Sequence, residues 1–396
     1  MLGVVATHAF FLWSVRERIA RGDPDFTVFY TAGKILRAGH GALLYDAPTQ
    51  LAAQREFADN SDIRRGPLPF IHPPFEAVLL VPFTFFSYTV AFWLWSALNL
   101  VLLYFIVILL RRSVPLLKRL TSGELFVICL AFFPIFANFH QGQDAILLLL
   151  IVVLAYRALT RQAIFLAGCW LGFGIFKYHL ILPLVFILVI WKGSKLFWGF
   201  VSVSAALTLL SLAVVGWRGV LQYPALALQV VSSPDFGGIP PRQLPNLMGL
   251  LGGWSSLDHI SRGLQVTALA SALLLLIVVA WLRRASNDLR LFGLCLSCAV
   301  IAAALAGYST NTYDLSLLVL PLALVADYLA KIAKRDRFNI VVPVLPLLIS
   351  PVWFFLWMKW QHINLIAVFL IWWLFAIRHK IVRTAAEQAQ IEPVAS

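Results

Sequence analysis

What most constrains this chain is a succession of continuous apolar runs, each about 12 to 22 residues long, separated by short polar connectors. They occupy residues 2–15, 89–110, 123–137, 145–156, 163–176, 180–191, 196–217, 263–282, 291–307, 315–330, 338–357 and 363–377. A helix needs about 20 apolar residues to cross a lipid core of about 30 Å, and in lipid only helices and closed barrels satisfy every backbone polar group. Barrel strands alternate apolar and polar residues, and these runs do not. The expected fold is therefore an all-α polytopic membrane protein, a bundle of about 12 transmembrane helices. Composition agrees: 61% of residues are hydrophobic and 12% charged, where a soluble domain carries about 25% charged residues.

Net charge is +13, from 31 Lys plus Arg against 18 Asp plus Glu. The cations cluster in alternate connectors, so they read as topology signals and not as a nucleic-acid surface. The clusters are Arg111, Arg112, Lys118 and Arg119; Arg157 and Arg161; Lys192 and Lys195; Arg283, Arg284 and Arg290; Lys331, Lys334, Arg335 and Arg337; and Arg378, Lys380 and Arg383. By the positive-inside rule that face is cytoplasmic, both termini are inside, and residues 16–88, 138–144, 218–262 and 308–314 face outward. A bacterial inner membrane with the working site on its periplasmic or extracellular side is expected. Arg16, Arg18 and Arg21 follow the first run against the rule, which binds weakly for so long a loop. That run has no basic leader and no small-residue cleavage site, so it reads as a span and not as a signal peptide. All four cysteines lie inside apolar runs, where Cys295 and Cys298 read as packing residues.

One transmembrane domain is expected over residues 1–384, with a disordered cytoplasmic tail over 385–396, rich in Ala, Glu and Gln. The first outer loop, 16–88, contains the longest polar segment, residues 16–71. Its pattern predicts interfacial helices over 28–37 and from 47 to about 58, the second capped by Asp46. Residues 73–86 are apolar but hold Pro74, Glu76 and Pro82, which suits an interfacial or re-entrant element better than a crossing.

Ionisable residues gather at the outward connectors, and at membrane depth such groups face polar cavities by default. Asp23-Pro24-Asp25 is formally a D-x-D, although either aspartate also suits a cap for the helix that follows. Other outer motifs hold His140, Gln143 and Asp144; Lys177 and His179; Arg242 and Asn246; and Tyr308 to Asp314. Lys177, between two apolar runs, is placed either to neutralise an anionic substrate or to snorkel toward headgroups. No histidine spacing supports a metal site, and His8 reads as a packing residue.

Asp25-Phe26, Phe29-Tyr30, Ala32-Gly33, Gly41 with Leu44-Tyr45-Asp46, His72-Pro73-Pro74 and the stretch from Trp93 to Asn99 resemble the first third of the glycosyltransferase family 87 pattern. Gly142-Gln143, Lys177 and Asp314-Leu315, with Leu317-Leu318 and Pro321, are similar to its later blocks. The resemblance implies a GT-C-like fold and transfer of a sugar, typically mannose, from a polyprenyl-phosphate donor to a glycan or glycolipid acceptor on the outer face. It departs at Tyr178, where the family commonly has proline, and at Tyr313, where histidine is frequent.

Such chemistry requires a base for the acceptor hydroxyl and a positive group for the leaving phosphate. Asp25 is the candidate catalytic base. Lys177, Tyr30, His72, Gln143, His179, Arg242, Asn246, Tyr313 and Asp314 are the candidate substrate-binding residues. No metal, nucleotide or other cofactor is required, inversion at the anomeric carbon is expected, and membrane lipids are the expected surroundings. A lipid-linked polysaccharide polymerase or ligase shares the outward site. A transporter or flippase is the rival from another class, but the chain shows no internal repeat.

Overall fold

The computed structural model describes residues 1–59, 68–232, 240–252, 260–284, 291–332 and 337–391, and all regular structure among them is helical. Among the described residues, six helical stretches are long and apolar enough to cross a bilayer by length and composition alone, or up to eight if each of two bent pairs is one span. The protein is an all-α, multi-pass membrane protein. The remaining apolar runs are short or broken, so length alone does not assign them as crossings.

The stretch Ile164–Lys192 is helical nearly throughout, yet it is no straight rod. A Cβ on Gly168 would stand 2.0 Å from the Leu196 carbonyl oxygen, and one on Gly199 2.1 Å from that of Phe165. A straight helix from residue 168 to 192 would be about 36 Å long, whereas the link from 192 to 196 reaches at most about 14 Å. The chain therefore reverses at the 3-10 turn Gly174–Lys177. Ile164–Phe173 and Tyr178–Lys192 are the two arms, with Lys177 at the tip.

Two runs read as single spans are bent pairs instead. Ser122–Leu130 and Phe133–Gln141 meet at 71°, with Pro134 in the first turn of the second helix. Phe338–Leu348 and Ser350–Trp360 meet at 58° in a run that contains Pro343, Pro346 and Pro351. Each proline lacks the donor that a continuous helix needs. The second pair ends in a π-helical turn, Phe355–Trp360, closed by Gln361 in the left-handed region.

In the first loop Phe26–Arg37 starts two residues before the expected boundary, and Ala47–Arg55 carries the expected cap: Asp46 accepts from the Thr49 amide at 2.9 Å. Pro74–Leu80 continues into a 3-10 turn, Val81–Phe85, and at about 20 Å the two together are too short to cross. Phe26, Phe29, Tyr30, Phe70, Phe92 and Trp95 form a separate aromatic core under this loop. At the other terminus the last helix runs Leu365–Ile391. Residues 385–391, expected to begin a disordered tail, extend it, because Ala, Glu and Gln are strong helix formers. Residues 392–396 lie outside the described residues.

The two ends of the bundle differ in chemistry. Arg157 donates to the Leu109 carbonyl, Arg111 to Ser122, the Leu116 amide to Asp327, and Tyr328 pairs with Thr384, so several basic connectors share one end. Asp144 and Asp314 begin the helical stretches that finish at that end, and so stand at the other. Gly168→Leu should force the hairpin away from its neighbour at a cost of about 1–3 kcal/mol. We expect a lower thermal unfolding midpoint in detergent for that variant and none for Gly3→Ala, whose added Cβ meets nothing within 4 Å.

Candidate functional site

The site is built on a helix end that only glycine allows. Phe133–Gln141 stops at Gly142, whose φ of 62° and ψ of 39° are left-handed. A Cβ there would lie 2.7 Å from the Phe26 Cβ. This close approach sets Gln143 beside Asp25, with Asp144 the next residue in the chain. Trp95 holds the turn, its indole N–H donating to the Gln143 carbonyl at 3.2 Å.

Asp25 and Asp144 both occupy N-cap positions, and neither side chain caps its helix. Asn138 takes over at the second helix, its Oδ1 accepting from the Ala145 amide at 3.0 Å. Asp23 does not cap either; it accepts from Arg18 Nε at 2.7 Å. The D-x-D aspartates thus diverge, one toward an exposed arginine and one inward.

Lys177 is the centre of the inner site. Its Nζ lies 2.8 Å from Asp144 Oδ1 and 3.0 Å from Asp314 Oδ1, and donates to Gln143 Oε1 at 3.3 Å. It stands 4.9 Å above the Tyr313 ring. Lys177 and Asp144 are 2% exposed and Asp314 0%, so the lysine is buried and paired instead of reaching for headgroups. His179 Nε2 is 3.6 Å from Asp314 Oδ2, and the Asn311 amide donates to the same oxygen at 2.8 Å.

Gln143 couples this group to Asp25, donating from Nε2 to Asp25 Oδ2 at 2.7 Å. The Asp25 amide donates to Gln141 Oε1 at 3.2 Å. Burial pushes the Asp25 carboxyl above the ordinary range, an effect only partly offset by the Gln143 hydrogen bond and the Lys177 charge. Burial also works to raise Asp144, but Lys177 and the Glu76 hydrogen bond outweigh it and hold that carboxyl down at about 2.

Asp144 faces a second polar group as well. His72 Nδ1 is 2.9 Å from Glu76 Oε2, and ligand-capable atoms of His72, Glu76 and Asp144 all lie within 4.8 Å of one another. Burial and the Asp144 charge push the Glu76 carboxyl well up, whereas burial lowers the His72 imidazole to about 4 and keeps it neutral.

A cavity of about 240 Å³ opens beside Asp25 and Tyr313, with Gln141, His140, Phe136 and Trp357 on its walls. At less than the ~300–1,000 Å³ of drug-sized pockets, it suits a single ring with flanking groups. Exposed Arg242 adjoins it, next to the lining residue Gln243, with Nη2 donating to Gln361 Oε1 at 3.3 Å.

Of the residues singled out from sequence, Asp25, His72, Gln143, Lys177, His179, Tyr313 and Asp314 come together. Tyr30 does not join them: it is buried in the aromatic core and its hydroxyl donates to the Phe86 carbonyl at 2.7 Å. Asn246 bonds the Gly307 carbonyl and the Gly249 amide, which makes it part of the scaffold. His8 is a packing residue, stacked on Phe136 and bonded to Ser350 at 2.8 Å. Tyr178, at the family's proline position, pairs its hydroxyl with that of Tyr308 at 2.5 Å. Asp144, Glu76 and Trp357 join the site without being among the candidate catalytic or substrate-binding residues of the sequence. The two acids carry a legible signal, a charge at the edge of an apolar run. Trp357 has none, since an aromatic in such a run looks like any lipid-facing residue.

The family model for glycosyltransferase family 87 matches residues 70–307, more than half of the chain. No curated protein and no solved structure matches. Asp25, Tyr313 and Asp314 fall outside the matched segment, so their link to Gln143 and Lys177 within it rests on geometry. Removing the lysine charge should be costly, because two buried carboxylates would lose their cation. Lys177→Met is expected to destabilise the protein by about 3–5 kcal/mol. A thermal unfolding midpoint in detergent equal to that of the wild type would contradict this account of the ion group.

Proposed function

This chain belongs to glycosyltransferase family 87 and is a membrane glycosyltransferase, and we propose that it moves a sugar, in the first instance mannose, from a polyprenyl-phosphate donor to a hydroxyl of a glycan or glycolipid acceptor. We take the site to face the periplasm or exterior of a bacterial inner membrane, in a GT-C-like bundle of about 12 spans with both termini cytoplasmic. The separation of basic connectors from the acidic site supports that orientation.

The observation that carries the reading is Asp25, half-buried on a ring-sized cavity, with a carboxyl raised by burial and held by Gln143. A sugar hydroxyl does not ionise near neutral pH, so it needs a positioned base as the new glycosidic bond forms. Asp25 takes that proton. Attack comes from the side opposite the departing phosphate, which inverts the anomeric centre. The aromatic wall of Phe136, His140 and Trp357 offers the sugar ring an apolar face.

Lys177 is already neutralised by two carboxylates, so its role in this reading is to fix Gln143 against Asp25. Exposed Arg242, whose guanidinium donates to the neutral Gln361 side chain, is the better placed group for the donor phosphate. The cavity's small volume favours a single-sugar donor over the polymeric substrates of a polymerase or ligase.

Asp25→Asn should retain the fold and lower turnover by about 10² or more, as measured with labelled lipid-linked sugar. Because Asp25 works ionised and its pKa is raised, the rate should fall on the acid side through a midpoint above the ordinary aspartate value of about 4. Near-normal transfer by Asp25→Asn would remove it from this role. Arg242→Ala should lower kcat/KM for the donor by roughly tenfold or more, from the loss of a charge-assisted contact of about 1.5–3 kcal/mol to the departing phosphate.

A further inference from the structure

We propose that His72, Glu76 and Asp144 form a binding site for one divalent transition-metal cation behind the Lys177 ion group. The three side chains come from separate places: the start of Pro74–Leu80 and the turn before it, and the start of Ala145–Thr160. They converge nonetheless, with one ligand atom from each lying within 4.8 Å of the other two. An ion with bonds of about 2.0–2.2 Å holds its ligands roughly 3 to 4 Å apart, so small side-chain rotations close the set.

Three observations point to a ligand here. First, Glu76 is 2% exposed, and its Oε1 faces no hydrogen-bond donor among the described residues: it can bond the neighbouring Asp144 carboxylate only by carrying a proton itself. A buried carboxylate oxygen left in that state is costly, and its neighbours offer it nothing but an imidazole and a second acid. Second, acids outnumber cations. Asp25, Glu76, Asp144 and Asp314 gather around Lys177 as the one lysine, and the two histidines nearby, His72 and His179, each already face a carboxylate. Third, His72 is fixed beside the two acids. Its ring lies 4.8 Å from Phe29 and 5.5 Å from Phe70, and its carbonyl accepts from the Tyr45 hydroxyl at 2.7 Å, so the imidazole needs little reorganisation to serve as a ligand.

The donor set identifies the class of ion. One imidazole nitrogen with two carboxylates suits manganese, iron(II) or zinc, whereas calcium and magnesium favour oxygen ligands alone. This amends the expectation from sequence that no metal is needed, which rested on histidine spacing within single motifs. The occupant would have a consequence for transfer, one that depends on the glycosyltransferase reading above. Asp144 is shared between the cluster and Lys177, so an ion that takes up its charge leaves the lysine freer to act toward an anionic donor.

Binding is tested without sugar transfer, so its failure and that of the transfer reading are distinguishable. Full-length protein in detergent, stripped with EDTA, is titrated with manganese(II) chloride while free ion is followed by electron paramagnetic resonance. One ion per chain is expected, with affinity at least tenfold weaker in Glu76→Gln and in His72→Ala and unchanged in Asp23→Asn. Glu76→Gln keeps the side-chain shape, and thermal unfolding of each variant verifies that it is folded. Absence of stoichiometric binding to the wild type, or equal binding by both cluster variants, overturns the proposal and leaves the pair of acids sharing a proton.

Discussion

Everything at the polar end of this protein is organised by one buried cation. Lys177 sits at the tip of a helical hairpin and meets Asp144, at the start of one apolar helix, and Asp314, at the start of another helical stretch. Burying a lysine and two aspartates costs several kcal/mol per ion in desolvation, recovered only with close geometry. The distances of 2.8 and 3.0 Å meet that demand. A constraint of this kind adds little net stability, but it discriminates strongly between packings, because any slip of one helix past another separates charges in a medium that cannot solvate them. The hairpin reversal at Gly174–Lys177 makes this possible, since a straight helix would place the lysine mid-span with no carboxylate at its level.

The acids are free to do this because other residues perform the local structural work. An aspartate at a helix N-cap normally accepts from the first turn. Asn138 does so in place of Asp144, and Asp25 bonds Gln143 instead of its own helix. Gly142 permits both, as the left-handed residue where the backbone passes Phe26. Local capping preference thus yields at two positions to a tertiary requirement, and both positions are in the polar centre.

The fold class and the polar end were legible in the sequence for physical reasons. Continuous apolar runs allow few folds in lipid, and Lys177 interrupts two such runs where no lysine belongs without a partner. The bends near Pro134 and through Pro343 to Pro351 had a visible cause, but apolar length masked it. Direction was not legible. Tyr30 and Asn246 sit in motifs beside true members of the cluster, and their side chains turn toward backbone carbonyls instead. Glu76 shared a short apolar element with two prolines, and nothing in one dimension shows that this element brings it to Asp144. Trp357 reaches the cavity only because its helix is broken and then widened into a π turn, which no periodicity announces.

The order of groups from cavity to interior also has a physical logic. In the proposed reading Asp25 has to be basic enough to accept a proton, and a carboxylate bonded directly to a buried lysine would be too weak a base, as the low value for Asp144 illustrates. Gln143 separates the two. Its amide donates to Asp25 while its carbonyl accepts from Lys177, so the cation orients the base through a neutral group without contacting it. Burial then dominates at Asp25 and raises its pKa, while contact with charge dominates at Asp144 and lowers it. Two aspartates on neighbouring helix starts are driven in opposite directions by one intervening side chain. That division is what a site needs if one acid is to move a proton and the other is to hold the architecture still.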